Sequence, residues 1–167
     1  MMDMRQQKKV LLLTGLHHEM EPEIYEVIPI KPDSMVTLRV AGPLIAHRYG
    51  DLMRTILLLV YGQDIEEIYV VGVHERHYIT DDTPTLYDHL HKNVELRDKM
   101  QIINYLLSSN QIDFPNMSLQ EWLSDGKSVQ ESVQQSVDML SNHPLVPSDV
   151  RIHGLFLNED REIVELG

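Results

Sequence analysis

The chain has 167 residues, 43% hydrophobic and 24% charged, and its 26 acidic against 14 basic side chains give a formal charge of −12. That balance argues against nucleic acid and against an anionic membrane as partners, since both reward basic patches, and no apolar run approaches the ~18 residues of a spanning helix. With no cysteine, disulfides and thiolate chemistry are excluded, and the length predicts one domain, 1–167, able to bury a core without staples.

The opening Met1 to Lys9 lacks the apolar core of a signal peptide, so cytoplasm is the expected compartment. Val10 to Thr14 is a continuous apolar run that ends in Gly15-Leu16-His17-His18-Glu19, which reads as a fully buried strand of a parallel sheet. An acidic segment with Pro22 follows, then the turn region Pro29 to Pro32 and a second strand, Met35 to Val40. Pro43 is placed to open a helix from Leu44 to Val60, with Gly62 as its C-terminal cap. A third strand, Ile68 to Val73, runs into His74-Glu75-Arg76-His77.

Val94 to Leu107 reads as a helix with Leu96, Met100, Ile103 and Leu107 on one face. Residues 108–126 read as irregular or as a brief helix. Ser128 and Glu131 form a capping box, and the helix it starts buries Val129, Val133, Val137 and Leu140 before Asn142-His143-Pro144 ends it. Val150 to Leu157, a turn at Asn158-Glu159-Asp160, and Glu162 to Leu166 complete the chain. The order predicts an α/β fold: a mainly parallel sheet flanked by helices, with an antiparallel edge strand. Ligands of such sheets sit outside the carboxyl ends of the strands, where His17, His18, His74 and His77 fall.

These segments in order resemble the β-class carbonic anhydrases. The ending is the most specific part: the helix from Ser128, His143-Pro144-Leu145-Val146-Pro147, then Val150-Arg151-Ile152-His153-Gly154 and a hairpin. Arg39-Val40-Ala41-Gly42 is similar to that family's Arg-Asn-Ala-Gly turn. Leu13 to Pro22 is similar to its Cys-x-Asp-x-Arg strand end, and Ile68 to His77 to its Gly-His-x-x-Cys strand. The resemblance implies that family's fold and a zinc held by two cysteines and a histidine, with an Asp–Arg pair controlling the fourth position. Zinc would supply a bound hydroxide near neutral pH.

Residue by residue, the motif is replaced. Gly15 stands in the first cysteine slot, His17 in the Asp slot and Glu19 in the Arg slot, so these two are the only candidates for the dyad. With Gly72 held in place, Val73 takes the histidine slot and Arg76 the second cysteine slot. A one-residue slide instead aligns His74 and His77 with His-x-x-Cys, at the cost of a strand slip or bulge.

Three expectations follow. The first is a β-carbonic-anhydrase-like protein without carbonic anhydrase activity, with no cofactor, serving a binding, regulatory or assembly role. The second is a zinc-dependent carbonic anhydrase, or a related lyase or hydrolase, with a site rebuilt from His74 and His77 together with His17 or His18 and completed by Glu19 or Glu75. The third is a metal-free binder of bicarbonate or another small anion through Arg76. Arg76 alternatively pairs internally with Glu19 or Glu75.

The resemblance also implies a homodimer, formed by the helix Leu44 to Val60 and the edge near Met35, or a hetero-oligomer with an active homologue. His143 and His153 read as structural, His47 as part of a partly exposed helix face, and His89 and His91 as solvated in a connection. Asp81-Asp82 reads as a turn or cap, Trp122 as a packing residue or, if exposed, an anchor for a partner, and the methionines mostly as core gap-fillers.

Overall fold

The computed structural model describes residues 9–16, 22–28, 34–74, 77, 86–109, 118–124 and 128–166. Two compact units emerge, one within 1–78 and 128–167 and the other within 79–127.

The first unit is built on Lys9–Gly15 (β1), buried from Val10 onward, as only a strand covered on both faces can be. Met35–Val40 (β2), Ile65–Val73 (β3) and Arg151–Leu157 (β4) lie parallel to it or to each other, and Ile163–Leu166 (β5) runs antiparallel at one edge. The sheet order is β2-β1-β3-β4-β5, which is the expected mainly parallel α/β sheet with an antiparallel edge. Leu11, Leu13, Ile68 and Val70 face Asp51–Gly62 (α2) and Val129–Ser141 (α6), packing on Met53, Ile56, Val133 and Val137. Val10, Leu12, Val71 and Val73 face Pro22–Val27 (α1) and bury Ile24 and Ile28. Pleat alternation thus gives both faces a core. The register of β3 shifts near its start, where Lys9 pairs with Ile65 and Val10 with Glu67. The extra residue turns Ile65 onto the α2 and α6 face with Ile68.

Glycines admit α6 close to the sheet. A Cβ on Gly72 would stand 2.5 Å from Val129 Cγ1 and 2.6 Å from Val133 Cγ2. The capping box at the start of α6 is present, with the Ser128 hydroxyl accepting from the Glu131 N–H at 3.1 Å.

The stretch 41–50 departs from expectation. Pro43 does not open a helix; α2 begins eight residues later, at Asp51. The Ile45 N–H donates to Ser136 Oγ (2.8 Å), and that hydroxyl donates to the Pro43 carbonyl (2.6 Å). The Pro43 carbonyl, which a helix opened there would use, is thereby bound to α6 together with the Ile45 N–H, and His47 lies on this non-helical segment. Gly62 is the last residue of α2 rather than its cap: Gln63 caps it, donating to the Leu59 carbonyl. The residue with positive φ after this helix is Asp64.

In the second unit, Leu86–Lys92 (α3), Val94–Leu107 (α4) and Leu119–Ser124 (α5) surround Met100, Leu107 and Leu119. α4 matches its expected bounds and is capped by Asn93, which accepts from the Leu96 N–H. Ile103, expected on the buried face, is exposed, because this small unit covers only part of the helix stripe. His89 and His91 are exposed as expected but sit on a helix, and Trp122 is exposed rather than packed. Asp81 and Asp82 lie outside the described residues. Among those described, no helix is long and apolar enough to cross a membrane.

Candidate functional site

Four strands end together at the carboxyl edge of the sheet. Gly15 closes β1 opposite Val40 of β2, and Val73 closes β3 opposite Leu157 of β4. Gly15 is buried and offers no side chain, and Val73 packs into the α1-side core with Val71, Leu155 and Leu157. The β3–β4 register runs unbroken from Glu67 to Val73, and the His74 N–H carries the ladder one step further, to the Leu157 carbonyl at 2.8 Å. The strand irregularity is therefore at the far end of β3, away from His74. His17, His18, Glu19, Glu75 and Arg76 lie outside the described residues.

His74 and His77 are brought to the β4–β5 turn. His74 Nε2 lies 3.3 Å from a carboxylate oxygen of Glu159. His77 Nε2 is 2.6 Å from the Asn158 carbonyl, an acceptor, so that nitrogen carries the proton. Its Nδ1 lone pair then accepts from Arg161 Nη1 at 3.3 Å. Arg161 directs Nε and Nη2 at the two carboxylate oxygens of Glu23 on α1, at 2.8 and 2.9 Å, a two-pronged charge-assisted pair. The turn is stitched by Asn158, whose side chain accepts from the Asp160 and Glu162 N–H groups. Arg161 itself has φ 60°. The guanidinium beside Glu23 holds its carboxyl below the usual carboxylate range, aided by a backbone hydrogen bond.

Zinc takes lone pairs from thiolate, imidazole or carboxylate donors, three or four at a time. Among the described residues these donors do not fit it. Gly15 and Val73 have none, and both ring nitrogens of His77 are engaged, one by a cation. No group of three or more His, Asp or Glu is arranged to hold a metal ion among the described residues. The Thr14 hydroxyl, next to Gly15, is buried without a hydrogen-bond partner, but a neutral hydroxyl is outside zinc's usual donor set.

Two further histidines, His143 and His153, sit in packed surroundings. His143 is buried, with Nε2 2.8 Å from the Arg48 carbonyl and Nδ1 accepting from the Leu145 N–H, which fixes the turn after α6. His153 stacks on its register partner Tyr69, ring centroids 4.5 Å apart. Two residues back along the ladder, Glu67 is buried beside Arg151 at 3.3 Å. Burial, then the Glu67 charge, pushes the Tyr69 hydroxyl up.

Sequence reasoning did not find Glu23, Asn158 or Arg161. Asn158 was legible only as a turn former, and nothing local links Arg161 to a carboxylate 138 residues away.

No family model matches the chain. It is 34% identical over 157 residues to YbcF of Bacillus subtilis, provisionally named a carbonic anhydrase-like protein, covering 94% of this chain and 85% of that one. Among solved structures it is similar to β-carbonic anhydrase isoform I of Trichomonas vaginalis (TM-score 0.59, 18% identity, 99% of this chain and 87% of the other). It is also similar to a carbon disulfide hydrolase in its apo form (TM-score 0.58, 24% identity, 95% and 78%).

Proposed function

The chain belongs to the β-carbonic anhydrase family, and from that membership we propose that it keeps the family fold without the zinc-dependent hydration, and works as a binding or assembly protein. The observation that supports this is the strand-end geometry: glycine and a core valine at two of the ligand positions, and a histidine whose lone pair already accepts from a guanidinium. The test is zinc per chain by elemental analysis of untagged protein incubated with excess zinc, followed by a carbon dioxide hydration assay. The expected result is far less than one zinc per chain and no acceleration of hydration. About one zinc per chain, lost in His74→Ala and His77→Ala, would replace this reading with a rebuilt histidine site.

The partner we propose is a second copy of the chain. A groove of about 620 Å³ runs along the outer side of α2, lined by Tyr49, Leu57, Leu58, Tyr61 and Leu145 and edged by Arg48 and Arg54. Tyr61 donates to the Leu145 carbonyl, which fixes one wall. The two arginines are of opposite sign to a copy carrying −12, and β2 is the last strand on one side of the sheet among the described residues.

A further inference from the structure

We propose that Arg161 is a structural clamp: its guanidinium is the cation that ties the end of β3, the β4–β5 turn and α1 together at the carboxyl edge of the sheet. The inference rests on the metal-free reading above, because a metal ion on His77 would need the lone pair that Arg161 now uses.

Four observations carry it. The guanidinium bonds two segments at once, Glu23 through Nε and Nη2 and His77 through Nη1. These partners are 138 and 84 residues away in the chain, so the contact closes the site rather than decorating one loop. His77 in turn donates to the Asn158 carbonyl, which also accepts the Arg161 N–H at 3.1 Å. His77, the turn backbone and the guanidinium thereby form one closed set. Finally, Arg161 occupies the left-handed region, φ 60°, where glycine or asparagine costs least. The position favours glycine for its backbone, and the arginine there makes three side-chain bonds among the described residues. The depressed Glu23 carboxyl is the electrostatic counterpart of the same pair.

An ordinary surface ion pair would have the same two partners, since Arg161 is 44% and Glu23 29% exposed. The two readings differ at His77, which only the clamp makes part of the contact, and at the backbone, where only the clamp makes arginine better than glycine at a positive φ. The experiment compares the wild type with Arg161→Met, Arg161→Gly, Glu23→Gln and the Met/Gln double variant. It reads thermal unfolding with and without excess zinc or chelator, and the His77 ring by nitrogen NMR. The clamp predicts a Tm lowered by about 1–4 °C in each single variant, and a double variant no worse than the more damaging single. It also predicts that Arg161→Gly loses Tm despite its better backbone, and that the His77 Nδ1 resonance moves in Arg161→Met. Additive losses, unchanged Tm, a gain in Arg161→Gly or an unmoved His77 signal would overturn the clamp while leaving the metal-free reading intact. A wild-type Tm raised several degrees by zinc, or lowered by chelator, would overturn the metal-free reading.

Discussion

Glu23 is a useful residue on which to test the electrostatics of the site, because its charge has one dominant partner. Arg161 holds its carboxyl below the ordinary range, so the folded state binds this proton less readily than the unfolded chain, where a glutamate titrates near about 4.3. The stabilisation it provides is therefore complete above the unfolded value. It disappears as pH falls through the lower folded one. The gap in Tm between the wild type and Glu23→Gln should be constant from pH 7 down to about pH 5 and should close below about pH 4. A gap that instead widened on acidification would contradict the pairing. His77 shows how far residue identity alone can mislead. Imidazole at the end of a strand is a metal donor by chemistry, yet what it can do is decided by which lone pair the neighbours leave open.

At the scale of elements, the decisive contact is Ser136 on α6 against the chain entering α2. Its buried hydroxyl accepts the Ile45 N–H and donates to the Pro43 carbonyl, so Ser136→Ala would leave a buried amide and a buried carbonyl without partners. An unsatisfied buried group costs about 1–3 kcal/mol. Urea unfolding should show a loss of that size, with an unchanged helical circular dichroism spectrum in the folded baseline. A loss below about 0.5 kcal/mol would mean that the segment has other anchors. The same contact explains what could be read in advance. Strands and capped helices carry their signal locally: the buried run of β1, Asn93 before α4 and Ser128 before α6 are each legible within a few residues. Pro43 carries a helix-start signal just as legible, but Ser136, 93 residues away, outbids it with two hydrogen bonds. The candidate site divides in the same way. The strand-end placement of Gly15, Val73, His74 and His77 was legible from the β-run endings. Their partners on α1 and the β4–β5 turn were not, because no sequence period relates Glu23 to Arg161.

For the molecule as a whole, the face to test is the outer side of α2. Leu58 and Tyr61 are 65% and 61% exposed on a helix whose other side is core, and Tyr49, just before that helix, is 73% exposed. Scattered apolar residues on a surface need no explanation, whereas a contiguous groove of them marks an interaction site. Two copies each carrying −12 repel at long range, so association requires apolar burial at close quarters, with Arg48 and Arg54 supplying the local positive sign. Sedimentation at tens of micromolar should give a dimer for the wild type and a monomer for Leu58→Asp. Tyr61→Ser should weaken the dimer at least tenfold, because it removes an aromatic anchor without adding charge. All three proteins should keep the same circular dichroism, since Leu58 and Tyr61 point away from the core. A monomeric wild type, or a Leu58→Asp variant that still dimerises, would move the interface elsewhere. The outer side of β2, the last strand on that side of the sheet among the described residues, is then the next surface to block, since an edge strand is a template for pairing.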